Sequence, residues 1–310
     1  MIFVFDESLE GSDVKAKGIL AKFIAAIVEK MHYVKASIHI WQWVEREVLT
    51  TQFLGMMDIE LIRKNNEFRD ITGTMAAHLS QVNVGFGSGY IEPCQAILLV
   101  NTPSYIVVEN EANDWPVLRK WIELMKNDRI FKSVNMLVEK KKCTGGIRPY
   151  NAGSAGQIIN TLSERMAEFG ELSVYKLIAV YDSDKEAEDA ELSNEKKKIQ
   201  DFSIDNRLMH HRLYKREMEN YFNIECYKEA QLADDCLAYP LSVLAWDFED
   251  VEKYIKNNSK RHYKKQNLPV LSNYINKQEL MNITAHHPLI HNGMSISEVQ
   301  SLILKFAKLV

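Results

Sequence analysis

The stretch KLIAVYDSDKE, Lys176 to Glu186, decides how this chain is read. Ile178 to Tyr181 is a short apolar run with no helical period, which predicts the end of a buried strand. It runs directly into two acids, Asp182 and Asp184. Residues i and i+2 of a strand share a face, so both carboxylates are expected on one side. Carboxylates that close repel each other unless solvent or a cation screens them. Either the strand ends in a solvated acidic loop, or the pair is built to hold a cation.

Outward from this strand, apolar runs and helical patterns alternate. Tyr105 to Val108 reads as a strand, Trp115 to Met125 as a helix, Val134 to Val138 as a strand and Ala155 to Phe169 as a helix. Strands alternating with helices of this length predict βαβ units and a parallel sheet. Right-handed crossovers then place the carboxyl ends of the strands on one edge, where α/β sheets bind ligands. Upstream, Ile2 to Phe5 reads as a strand, Lys15 to Met31 as a helix, and Ser37 to Val44, apolar on both faces, as an interior strand. The segment GFGSGY, Gly85 to Tyr90, is expected to end an N-terminal region. Downstream the chain reads as mostly helical, including Leu241 to Asn257 and a last helix over Val299 to Val310 opened by the capping box SISE, Ser295 to Glu298. The expected divisions are residues 1–100, 101–230 and 231–310.

The 310 residues are 46% hydrophobic and 26% charged, an ordinary globular balance, with a formal charge of −4. That charge gives no overall attraction to nucleic acid or membrane, so a polyanion site needs a local basic patch. Cys94, Cys143, Cys226 and Cys236 form no CxxC pair and imply neither a zinc site nor a disulfide framework. MIFVFDESLE has no basic leader, and no apolar run has the length of a membrane span. A cytoplasmic protein without membrane contact is expected.

Glu109 ends the first strand of the alternating region, and Glu111 and Asp114 follow in the adjoining loop. Were that strand a neighbour of the one ending in Asp182 and Asp184, three or more carboxylates would meet at one sheet edge. Such a cluster is costly unless it binds a hard cation, and Mg²⁺ suits it. Between them CTGGIRPYNAGSAGQ, Cys143 to Gln157, is a glycine-rich turn entering a helix, with Gly145 and Gly146 as a candidate phosphate loop.

A glutamate ending one strand, a Gly-Gly turn and a D-x-D ending a later strand resemble the TOPRIM pattern of topoisomerases, bacterial primases and nucleases of the overcoming-lysogenization-defect (OLD) family. LYKREMENYF, Leu213 to Phe222, is similar to the segment that follows the D-x-D in OLD-like nucleases. The resemblance covers about Thr102 to Phe222. It departs from the family at position 113, where Asn113 stands in place of an acid, so Glu111 or Asp114 takes that role.

The resemblance implies a TOPRIM Rossmann-like sheet flanked by helices, with an N-terminal α/β region and a helical C-terminal part. It implies phosphodiester hydrolysis with one or two Mg²⁺ or Mn²⁺ ions, on DNA or RNA, by an effector of antiviral defence. Asp182 and Asp184 would hold the ion, and Glu109 would join them or exchange protons. Lys215 and Arg216 would neutralise charge on the phosphate, and Glu217 and Glu219 would be further ligands or partners of those cations. No Walker-type ATP site occurs, so an ATPase would act in trans. A homodimer is admitted, and a non-catalytic TOPRIM scaffold that binds nucleic acid or an ATPase is the alternative.

The best basic patch is KNNSKRHYKKQN, where Lys256, Lys260, Arg261, Lys264 and Lys265 surround Tyr263, an aromatic placed to stack on a base. His286, His287 and His291 lie in a loop and lack partners for a metal site. His210 and His211 read as structural, Trp41 and Trp43 as core, and the pair Asp6–Glu7 as a structural strand end. The charge run from Asp184 to Lys198 reads as an exposed loop or helix face.

Overall fold

A computed structural model of the chain describes residues 1–65, 68–69, 73–240, 243–284 and 289–310. The chain divides into two compact units, Met1–Ser104 with Ala307–Val310, and Tyr105–Phe306. Residues 231–306 thus belong to the same unit as the alternating region.

The first unit contains β1 (Ile2–Phe5), α1 (Val14–Glu29), β2 (Tyr33–Lys35), α2 (Ile38–Trp43), α3 (Met56–Lys64), α4 (Gly73–His78), β3 (Gln81–Val84) and α5 (Pro93–Asn101). Its parallel sheet has the order β2–β1–β3. Helix α1 begins where the Asp13 carboxylate accepts the Ala16 N–H, and it buries Leu20, Phe23, Ile24 and Ile27 on one face. The interior strand expected over Ser37 to Val44 is instead helix α2. The Ser37 hydroxyl caps it by accepting from Ile40 N, and Ile40, Trp43, Val44 and Val48 are buried at helical spacing while Ile38 is exposed. Trp43 is core as expected, and Trp41 packs on Phe5 and Phe68.

The second unit contains β4 (Ser104–Val108), α6 (Glu111–Met125), α7 (Lys132–Cys143), β5 (Ile147–Asn151), α8 (Ile158–Phe169), β6 (Leu177–Tyr181), α9 (Asn194–Asp205), β7 (Met209–Arg212), α10 (Ile224–Glu229), α11 (Val243–Trp246), α12 (Val251–Asn258), α13 (Leu268–Leu271), α14 (Lys277–Thr284), β8 (Leu289–His291), β9 (Met294–Ile296) and α15 (Glu298–Lys308). The order of its main sheet is β5–β4–β6–β7, with β4, β6 and β7 parallel. The fold is α/β, parallel sheets flanked by helices. Every residue of β6 is buried, and Leu177, Ala179 and Tyr181 pack with Val107, Ile158, Leu162 and Ile199. Burial of each large apolar side chain there is worth roughly 1.5–3 kcal/mol, which fixes β6 as the centre of the unit.

Further expectations are corrected here. Val134 to Val138 is the middle of helix α7, because Val134, Leu137, Val138 and Lys141 are buried at helical spacing. Glu111 and Asp114 occupy the first turn of α6 rather than a loop, with Asn110 as its cap. The stretch Cys143 to Gln157 does enter a helix at Ala155, but Gly145 and Gly146 are separated from it by β5: they end α7 and turn the chain into that strand, with Gly145 at φ +74°. The SISE box is displaced: Ser295 and Ile296 lie in β9, while Ser297 and Gln300 cap α15 reciprocally. The helix expected over Leu241 to Asn257 is two, α11 and α12, with Leu241 and Ser242 outside the described residues. His286 and His287 also lie outside them. Among the described residues no helix is long and apolar enough to cross a membrane. The four cysteines are free thiols.

Candidate active site

The register that aligns Val107 with Ala179 brings Glu109, at the end of β4, beside the residues leaving β6. The Asp182 amide donates to Glu109 Oε1 at 3.2 Å. Beyond it the chain is no longer a strand. Asp184 adopts a left-handed φ of +55°, so the two acids do not share a strand face. What places Asp184 is a set of bonds to the Leu213–Phe222 segment. Its amide donates to Arg216 O at 2.9 Å, and the Ser183 hydroxyl donates to Lys215 O at 2.7 Å. Asp182 Oδ1 in turn accepts the Met218 amide at 3.1 Å. The D-S-D turn and the segment that carries Glu217 and Glu219 are therefore stitched together.

Two lysines enter this acidic ground. Lys196 of α9 is fully buried; its ammonium pairs with Glu109 Oε1 and lies 3.1 Å from Asp184 Oδ2. Lys265 Nζ lies 2.9 Å from Asp182 Oδ2 and 3.9 Å from both Glu217 Oε2 and Glu219 Oε2. Asp114 completes the group from the first turn of α6, where its Oδ2 accepts the Asn110 amide at 2.8 Å. Glu109, Asp114, Asp182, Asp184, Glu217 and Glu219 thus share two ammonium groups and, at Glu217, the Arg216 guanidinium 3.7 Å away.

That imbalance appears in their protonation. Burial, then repulsion by Asp182, raises the Asp114 carboxyl to about 7. Burial raises Glu219 to about 8, with Asp182 and Glu217 adding repulsion against the pull of Lys265. Burial also raises Glu109 and Glu217. Burial works against the charge of Lys196 and Lys265, but the surrounding acids outweigh it and raise both ammonium groups above their ordinary range. Desolvation and like-charge repulsion are the two forces a bound cation would relieve.

No family model, curated protein or solved structure matches the chain. The site therefore stands on its own chemistry. Asp114 Oδ1 and Glu219 Oε2 are buried oxygens without a hydrogen-bond donor among the described residues. All the donors are hard carboxylate oxygens, which fit Mg²⁺ or Mn²⁺ in kind. With the lysines lying between them, no three acidic, histidine or cysteine side chains among the described residues stand in position to grip one ion together.

The structure gathers Glu109, Asp114, Asp182, Asp184, Glu219 and Lys265 and leaves others aside. Of the two candidates for the shifted acid, Asp114 faces the cluster, whereas Glu111 is exposed. Lys215 does not reach the cluster: it is buried against Asp247 Oδ1 at 2.5 Å and Asn220 O at 3.1 Å. Arg216 lies 3.7 Å from both Glu217 and Asp250. Tyr263, expected to stack on a base, is 2% exposed and packs edgewise on Tyr227. Of its basic neighbours, Lys256, Lys260, Arg261 and Lys264 are exposed, while Lys265 turns into the acids. The Gly145–Gly146 turn binds Arg148, whose Nε donates to Gly145 O at 3.2 Å. Lys196 was hidden in a charge run that reads as a solvated face; the apolar Ile199 three residues on was its one signal.

Proposed function

We propose that the second unit is a Mg²⁺- or Mn²⁺-dependent phosphodiester hydrolase, a nuclease of the OLD-like TOPRIM kind. The observation that carries this reading is the excess of buried carboxylate over ammonium where β4 and β6 end, with two oxygens lacking a donor. Asp182, Asp184 and Glu109 would supply the ligands, with Glu219 and Asp114 beside them, once Lys196 and Lys265 withdraw from between them. A bound ion would supply Lewis-acid stabilisation of the phosphate and an activated water. Lys265 and Lys196 then offset charge on a phosphate at this edge, a role the sequence had suggested for Lys215 and Arg216. Glu219, raised by burial to about 8, is mostly protonated at pH 7, and Asp114, raised by burial to about 7, is protonated in about half of the molecules, so either can pass a proton to a departing oxygen. The resemblance that suggests this chemistry also suggests an antiviral effector acting with an ATPase in trans.

The test is cleavage of plasmid DNA, linear DNA and tRNA with Mg²⁺ or Mn²⁺, beside calorimetric Mn²⁺ binding. Asp182→Asn keeps the side chain's shape and is expected to lower cleavage by about 10²–10³-fold and to weaken Mn²⁺ binding. One observation favours a second reading, a non-catalytic scaffold: Lys196 and Lys265 already sit where a metal ion would neutralise the acids. Wild-type protein that binds nucleic acid but takes up no Mn²⁺ and cleaves nothing would establish that reading instead.

A further inference from the structure

A cleft of about 430 Å³ opens beside the end of β7, lined there by His211, Arg212 and Tyr214, across from Glu298, Ser301 and Lys305 of α15, with Leu289 of β8 at its side. That volume falls in the ~300–1,000 Å³ range of small-molecule sites. Its floor is polar and fully organised. Glu298 Oε1 accepts from Tyr214 N at 2.7 Å and from His211 Nε2 at 3.1 Å, and Oε2 accepts the Tyr221 hydroxyl at 2.5 Å. Burial opposes the charge of Glu298, yet these donors hold its carboxyl below the ordinary range. Lys305 Nζ donates to His210 O at 2.8 Å and lies 3.3 Å from His211 Nδ1. An imidazole that donates at Nε2 and accepts at Nδ1 is neutral, in keeping with the downward shift that burial imposes on His211.

With His211 neutral and Glu298 ionised, Arg212 and Lys305 leave the lining one positive charge in excess. Arg212 bonds Gln200 Oε1 through Nη1 at 3.3 Å, one of the several N–H groups of its guanidinium. The Tyr214 ring, packed near Phe248, and Leu289 supply apolar surface. We propose that this cleft binds a small organic anion of single negative charge, its charged group held by Arg212, Lys305 and Ser301 and its apolar body against Tyr214 and Leu289. The occupant would act on more than the cleft. Tyr221, which holds Glu298, ends the same 3-10 turn that carries Glu219 (Met218–Tyr221), so the floor of the cleft is joined to the acidic cluster.

The test uses the full chain and ligand-observed NMR with naphthoate and methyl phenyl phosphate, each against neutral naphthamide. Both anions, or one of them, should bind and protect β7 and α15 from hydrogen exchange, and the pair separates a carboxylate from a phosphodiester site. Arg212→Gln should weaken the anion at least about tenfold, the worth of one charge-assisted hydrogen bond. Ser301→Phe should fill the cleft and abolish binding; if it fails to fold, Arg212→Gln with an unchanged melting temperature carries the test. Equal binding of naphthamide, an unaltered affinity in Arg212→Gln, or no binding of either anion at millimolar concentration overturns the proposal.

Discussion

Each of the two units ends a buried parallel strand in an acid, and the two acids behave in opposite ways. After β1, Asp6 turns back on its own chain: its carboxylate accepts Ser8 N at 2.9 Å. The hydrogen bonds of Ser8, helped by Tyr90, hold Asp6 below the usual carboxylate range. After β6, Asp182 instead meets Glu109, Glu217 and Glu219, and burial pushes those neighbours upward. The sequence pattern, an apolar strand followed by an acid, is the same. What differs is whether a local donor consumes the charge, and only the unconsumed cluster has chemistry left to offer a cation.

The largest effect expected from this contrast comes from Lys196→Met. The substitution keeps most of the volume and removes the buried ammonium between Glu109 and Asp184. Asp184 is half exposed and can regain water, so the cost falls on Glu109. Breaking a buried pair typically costs about 3–5 kcal/mol, and urea unfolding in EDTA should register a loss of that order. Added Mn²⁺ should return part of it, because ligand bound only by the folded state stabilises it. A loss below about 1 kcal/mol in EDTA would break the comparison: Glu109 would then already be neutral.

The parts legible in sequence were those where one physical pattern had one outcome. β6 could be read because its short apolar run stands between two helical patterns and stops abruptly at acids, and Glu109 and Asp182 followed from its parallel partner. Ser37 to Val44 and Val134 to Val138 could not, since an apolar run on both faces suits a buried strand or a buried helix equally. A hydroxyl at Ser37 settled the first and helical burial the second. Lys196 and Lys265 were illegible for another reason. A lysine in a charge run is ordinarily solvated, and only the tertiary approach of α9 and of the segment after α12 turned these two inward. Glu298 read as half of a capping box, whereas its partners His211 and Tyr221 lie some eighty residues away in sequence.

A smaller effect sharpens the contrast through pH. Asp114 and Glu219 bind protons in the folded state up to about 7 and 8, but in the unfolded chain only up to the ordinary carboxylate range. Between roughly pH 4 and 8 the folded state therefore holds more protons, and stability falls as pH rises. The raised Lys196 and Lys265 stay protonated throughout that window, while His210, His211 and, near pH 7, Lys176, all lowered by burial, give up protons first in the folded state and offset part of the trend. The metal-free protein should melt a few degrees lower at pH 8 than at pH 5, since each kcal/mol moves a domain of this size by about 2–4 °C. Mn²⁺ should flatten or invert the slope, because binding requires the deprotonated acids. A melting temperature that rises steadily across the window would mean the acids are ionised and compensated without metal.

The smallest effect tests the other side of the comparison. Asp6 caps the short 3-10 turn Glu7–Leu9, and Gly85 lies so near that a Cβ there would stand 2.9 Å from the Asp6 Cβ. The Ser8 hydroxyl also accepts the Phe86 amide at 2.9 Å, so the turn is tied to the strand exit of β3. Asp6→Ala removes the cap and the exposed hydrogen bond to Tyr90 and should cost about 0.5–1 kcal/mol, while Asp6→Asn, which retains the acceptor, should cost almost nothing. Neither should alter Mn²⁺ binding. If Asp6→Ala lowered Mn²⁺ affinity as Asp182→Asn is expected to, the two strand ends would be chemically alike and the division between a lone capped acid and a crowded acidic cluster would collapse.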